Sequence, residues 1–262
     1  MAQRKKLIIG NWKMNLNVHE ASIFVHTIAK DVAVHRDVEV VLAPTALALQ
    51  PISLQINRRQ FKLAAQNFYH QDQGAFTGEV SATQLRGLVE YALVGHSERR
   101  HIFHESDKDI RAKVQAAIRN HIKPVLCIGE TAQQKADGET NDCLHDQLVG
   151  GLANVTSEEL EKVVIAYEPV WAIGTGNNAS PSDVEKATRA IRSQIKHLYG
   201  EASAESVHVL YGGSVKADSA ATYLQVPGVD GLLIGGASLD RQAFLSIVSK
   251  AHGAAATQDA SA

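Results

Sequence analysis

A chain of 262 residues holds one large domain or two ordinary ones, and its 45% apolar content is enough for a substantial core. The 26 Lys and Arg nearly balance 28 Asp and Glu, so a net charge of −2 offers no general affinity for nucleic acid or an anionic membrane surface. Two unspaced cysteines, Cys127 and Cys143, read as reduced thiols of a cytoplasmic protein rather than a disulfide framework.

The basic start, Met1 to Lys6, is followed by only Leu7-Ile8-Ile9 before Gly10, too short a run for a signal-peptide core. No apolar run approaches membrane-spanning length. From there, short aliphatic or β-branched runs recur: Leu7–Gly10, Val38–Ala43, Phe61–Gln66, Tyr91–Gly95, Pro124–Ile128, Val163–Tyr167, Val207–Tyr211 and Gly231–Gly235. They are continuous rather than alternating, which suits parallel strands covered on both faces. Amphipathic stretches lie between them, including Asp109–Asn120, Ser182–Tyr199 and Asp240–Lys250, with Ser180 or Ser182 as a cap beside Pro181. Eight strands alternating with helices, without a linker-like break, predict an α/β chain folded as a single (β/α)8 barrel over residues 1–250. Residues 251–262 are small and polar and read as a frayed tail. A doubly wound open sheet is the competing architecture. Gly10-Asn11-Trp12-Lys13 is not the glycine-rich dinucleotide turn expected there.

In such a barrel the functional face is the C-terminal end of the strands. The residues that follow the strands include Asn11 and Lys13, His96 and Glu98, Glu168, Gly212-Gly213-Ser214, and Gly235-Gly236. A carboxylate, an imidazole, an amine and an amide thus converge with two glycine-rich turns, an acid–base site beside a phosphate site. Glu168 is followed at once by Pro169-Val170-Trp171-Ala172-Ile173-Gly174-Thr175-Gly176, a loop carrying large apolar residues, as a lid that is sometimes buried would. Trp12 points the other way along its strand and reads as packing. Cys127 has no adjacent base and reads as core. His101 and His104, three apart, lack the spacing of a zinc pair, so no metal is expected.

Six segments carry a resemblance over roughly residues 6–250. They are Gly10-Asn11-Trp12-Lys13-Met14-Asn15, Gly74-Ala75-Phe76-Thr77-Gly78-Glu79, Gly95-His96-Ser97-Glu98-Arg99-Arg100, Ala166 to Gly176, Tyr211-Gly212-Gly213-Ser214-Val215 and Leu232-Leu233-Ile234-Gly235-Gly236-Ala237. Together, and in this order, they resemble the triosephosphate isomerases. The resemblance implies a cofactor-free, cytoplasmic homodimer of glycolysis and gluconeogenesis that interconverts dihydroxyacetone phosphate and D-glyceraldehyde 3-phosphate. It implies Glu168 as the base and His96 as the electrophile, with Lys13 and Asn11 holding charge and substrate. Gly174, Ser214, Gly235 and Gly236 would contribute to the phosphate cradle. The Gln73–Glu79 loop would enter the neighbouring subunit and bring Thr77 near the other chain's Asn11 and Lys13. Glu98 is expected to order Lys13 or His96. Asn177-Asn178-Ala179 departs from the family's usual lid ending, which bears on the lid's opening rate rather than on the catalytic set.

Two rival readings fit the residues less well. A non-catalytic scaffold on a retained barrel predicts drift at Glu168, His96 or Lys13, and none is seen. A Schiff-base aldolase needs a Lys on a middle or late strand, and the sixth and seventh strands offer none.

Overall fold

The computed structural model describes residues 4–34, 36–173 and 178–259, with side chains to Ala255. Eight parallel strands close in sequence order: β1 (Lys6–Asn11), β2 (Val38–Ala43), β3 (Lys62–Ala65), β4 (Tyr91–Val94), β5 (Lys123–Ile128), β6 (Val164–Tyr167), β7 (His208–Tyr211) and β8 (Gly231–Ile234). Each run expected to be a strand forms one, to within a residue at its ends. Closure is between β1 and β8, with Leu7 opposite Gly231 and Gly10 opposite Ile234.

Continuous apolar runs make sense because these strands have no wet face. Alternate residues such as Leu7, Ile9, Val41, Leu93, Val125, Val164 and Ala166 fill the barrel interior. Their neighbours Ile8, Leu42, Leu63, Leu126, Ile165 and Leu232 pack outward under the helices. Trp12 belongs to the outer layer, fully buried with its ring edge-on to Phe24 at 5.4 Å.

The helices follow the apolar period. In Pro181–Tyr199 the buried set is Val184, Ala187, Thr188, Ile191 and Ile195, one stripe of a 3.6-residue helix. Of the two candidate caps, Ser180 is the one used. Its hydroxyl accepts from the Asp183 amide, and the Asp183 carboxylate accepts from the Ser180 amide in return. The helix expected over Asp109–Asn120 spans Asp107–Arg119 behind the cap Ser106.

The C-terminal expectation needs correcting. The last helix runs from Arg241 to Asp259, so the segment after Lys250 is not frayed from residue 251. Ala251 and Ala255, four apart, are both buried. Small residues that look featureless in sequence here let the final turns lie close to the barrel. Among the described residues no helix is long and apolar enough to cross a membrane.

Candidate active site

The C-terminal mouth of the barrel brings Asn11, Lys13, His96 and Glu168 to one cavity of about 500 Å3, whose other wall holds Gly212, Gly213, Ser214, Gly235 and Gly236. Gly174, expected in the phosphate cradle, lies outside the described residues, as does Asn177 of the altered hinge.

Strand alternation delivers two of the four candidate residues. Asn11 has the parity of the interior residues Leu7 and Ile9, and Glu168 that of Val164 and Ala166. Asn11 is buried, and its side-chain oxygen accepts from the Lys13 amide at 3.1 Å. The other two residues arrive through left-handed backbone. Lys13 has φ +52°, a conformation disfavoured for a residue with a Cβ. It is held by the Gln66 amide, which donates to the carbonyls of Lys13 and Ala43 at 2.8 Å each. His96 follows Gly95, at φ +68°, where the chain turns out of β4.

His96 caps the short helix Ser97–His101, and its Nδ1 accepts from the Glu98 amide at 3.2 Å. An accepting Nδ1 carries a lone pair, so the ring proton sits on Nε2 and the imidazole is neutral. Nε2 lies 3.1 Å from Glu168 Oε1. Glu168 Oε2 accepts from the Ser97 amide at 2.9 Å. The carboxylate is only 2% exposed, so both oxygens are aimed by donors within a nearly dry wall. Glycine makes that burial possible: a Cβ at Gly129 would stand 1.9 Å from the Glu168 carbonyl oxygen, and one at Gly212 would stand 2.9 Å from Glu168 Cγ.

Glu98 contacts both residues between which the sequence left it. One oxygen pairs with Lys13 Nζ, and the other lies 3.7 Å from His96 Nδ1. After Gly235 the chain makes only a 3-10 turn, Gly236–Ser238, and the long helix begins at Arg241.

Three contributors were not assigned from sequence. The Ser97 amide is a backbone donor and leaves no side-chain signal. Glu130 is buried, with Oε1 accepting from Tyr167 Oη at 3.0 Å and Trp171 Nε1 at 2.8 Å, while its carbonyl accepts from the Val170 amide at 3.0 Å. Its position directly after a strand was the available clue. Tyr223 Oη donates to the Ala179 carbonyl at 2.9 Å from a helix distant in sequence. Cys127 is buried core, as read from its sequence context. Burial, and then the Glu168 charge, push its thiol well above the ordinary range, so it stays protonated.

Comparison with known proteins decides the family. The triosephosphate isomerase profile matches residues 6–251. The chain is 42% identical to the triosephosphate isomerase of Chloroherpeton thalassium over 95% of its own length and all of the relative's. The chain belongs to the triosephosphate isomerase family. The isomerases of Alkaliphilus metalliredigens and Streptococcus gordonii match at 42% and 41%, over 94% of this chain and 99% and 98% of theirs. It is therefore an enzyme of that family, interconverting dihydroxyacetone phosphate and D-glyceraldehyde 3-phosphate in glycolysis; the scaffold alternative is not favoured. For this isomerase the cavity at the strand ends is where the chemistry has to be sought.

Proposed function

We propose that Glu168 is the base of the isomerisation and His96 its electrophile, with Lys13 and Asn11 holding the developing enediolate. The carrying observation is the 3.1 Å contact between His96 Nε2 and Glu168 Oε1 at the cavity wall. Isomerisation needs a base beside the carbon that loses its proton and a donor beside the carbonyl oxygen. Substrate entering between the two groups exchanges their mutual contact for one to each. Glu168 Oε1 then faces the carbon, and the Nε2 proton faces the oxygen. Lys13 adds fixed positive charge from the first strand, and Asn11 adds a neutral donor. The Gly212-Gly213-Ser214 and Gly235-Gly236 turns present backbone amides to the phosphate, the usual place for one in a barrel of this kind. By the family resemblance Gly174 adds another.

The test is the isomerisation rate of D-glyceraldehyde 3-phosphate without added metal or cofactor, for the native chain and Glu168→Gln. Rapid turnover should fall by at least the ~10²–10⁴ typical of removing a general base. A variant that keeps its kcat would remove Glu168 from the role.

The same reading makes the protein a cytoplasmic homodimer. Support comes from exposed apolar side chains near Lys13: Met14 is 94% exposed, and Phe103, which lines a pocket with Lys13 and Met14, is also largely exposed. Phe76, in the Gln73–Glu79 loop, is 40% exposed, as a side chain with a place on a second subunit would be. Sedimentation at micromolar concentration should give twice the chain mass. A monomer with full kcat would refute the dimer and its coupling to activity.

A further inference from the structure

The wall that carries His96 and Glu168 is braced from behind by a cation that does not line the reaction cavity. Arg100 lies in the short helix Ser97–His101, and its side chain is only 10% exposed. Its guanidinium makes three hydrogen bonds. Nε donates to the Gly95 carbonyl at 2.8 Å, Nη2 to the Cys127 carbonyl at 3.1 Å and Nη1 to Asp107 at 2.7 Å.

Each of the two carbonyls belongs to a segment that places a reacting group. The Gly95 carbonyl shares a peptide plane with the His96 amide, so holding it fixes the direction in which the His96 side chain leaves the backbone. Gly95 sits at φ +68°, so the regular geometry of β4 no longer dictates that plane. The Cys127 carbonyl belongs to β5, whose next carbonyl, that of Ile128, accepts from the Glu168 amide at 2.7 Å. One planar group thus ties the exit of β4, which carries His96, to the end of β5, on which Glu168 hangs. Gly95 also makes room for it, since a Cβ there would stand 3.1 Å from Nη2 and 3.3 Å from Nε. Between Arg100 and Glu168 lies a crevice too narrow for a water molecule, lined also by Gly95, Ser97, Cys127 and Gly129. Movement on the Arg100 side is therefore passed on by packed atoms rather than absorbed by solvent.

We propose that Arg100 is a positioning residue for the isomerisation, setting the separation of His96 and Glu168 without touching substrate. The proposal rests on the reading of these two as electrophile and base. Lysine is no substitute, because one compact ammonium group does not span what a rigid five-donor fork reaches.

The test is a set of variants assayed with D-glyceraldehyde 3-phosphate, with glycerol 3-phosphate as competitive inhibitor. Arg100→Lys should lower kcat about tenfold, part of what an ångström of displacement costs a reacting group. KM and the inhibitor's Ki should stay within about twofold, because the glycine wall is untouched. Arg100→Gln is the second variant, should a charge without its fork prevent folding, and should show the same split between kcat and Ki. Asp107→Asn leaves both carbonyl bonds in place and should keep the native kcat. In a His96→Gln background the further loss from Arg100→Lys should shrink to about threefold or less, since the group it aims is already gone. Nitrogen-15 NMR of the His96 ring should show the proton fixed on Nε2 in the native protein and exchange between tautomers in Arg100→Lys. Four results would overturn the proposal: native kcat in a folded Arg100 variant, the full tenfold loss repeated in the His96→Gln background, a Ki that rises in step with the fall in kcat, or a His96 ring signal unchanged by Arg100→Lys. Native kcat in His96→Gln alone would strike the electrophile reading itself, and this proposal with it.

Discussion

The two walls of the reaction cavity are built on opposite principles. On the side of β1, β4 and β6, side chains do the work and each is aimed by a partner: Glu168 by His96 and the Ser97 amide, His96 by the Glu98 amide, Lys13 by Glu98. On the side of β7 and β8, the surface is mostly glycine backbone, Gly212-Gly213 and Gly235-Gly236. Proton transfer needs reacting atoms held to within a fraction of an ångström, which only crowded, hydrogen-bonded side chains provide. Phosphate carries its charge over several oxygens and is held by amides that can come close, so the absence of side chains is the useful property there.

Gly212 joins the two walls, and substituting it should break the distinction most severely. Gly212→Ala places a Cβ 2.9 Å from Glu168 Cγ, so a change on the glycine wall displaces the proposed base. We expect kcat to fall about 10²-fold, as misplacement of a reacting group by an ångström can cost. Gly236→Ala is the control on the same wall. Its Cβ would meet no protein atom within 4 Å, so Glu168 stays in place: kcat should stay within about twofold, and any loss should fall on KM through the phosphate approach. Equal losses in the two variants would mean that both glycines act only on phosphate.

A smaller effect is expected on the crowded wall. Ser97→Pro puts a ring carbon where the amide hydrogen meets Glu168 Oε2, so it removes the donor and also crowds the carboxylate, at a first helical position whose backbone accepts proline. Loss of the charge-assisted hydrogen bond together with that crowding should reduce kcat/KM by at least about tenfold, whereas Ser97→Ala keeps the amide and should stay near the native value. If the two variants behave alike, the amide does not aim the carboxylate.

The smallest effect lies at the opposite end of the barrel, where β7 begins. Burial lowers the His208 pKa from its ordinary 6.5, with Asp230 opposing in part. In the native state the ring is thus held neutral where the unfolded chain takes up a proton. Its contribution to stability is present above about pH 6.5 and lost as pH falls below it. Urea melts from pH 8 to 5 should show a shallower decline for His208→Gln, while isomerisation near neutrality is unchanged. An identical decline would show that other groups govern acid sensitivity.

Strand alternation and position alone make Asn11 and Glu168 legible as mouth residues, because each keeps the parity of the interior residues before it. The two Gly-Gly turns are legible for the same reason, falling directly after runs that can only be strands. His96 and Lys13 are harder. Gly95 at φ +68° and Lys13 at φ +52° break the alternation, so strand-end position brings His96 and Lys13 to the mouth but their side-chain directions follow from local backbone. Glu130 and the Ser97 amide were not assignable, since one is an ordinary strand-end acid and the other has no side-chain signature.

The sequence by itself determined the barrel and the chemical inventory of its mouth. Eight apolar runs dry on both faces admit little else, and the six motif segments name the family. It did not determine how far the last helix runs, because Ala251 and Ala255 declare themselves only when a barrel wall lies against them. Tertiary structure alone decided which donors hold Glu168, that Glu98 pairs with Lys13, and that Glu130 accepts from both Tyr167 and Trp171. Those contacts join residues far apart in the chain. Their distances are set by barrel closure and by glycines whose missing Cβ atoms let backbones approach, neither of which a local pattern encodes.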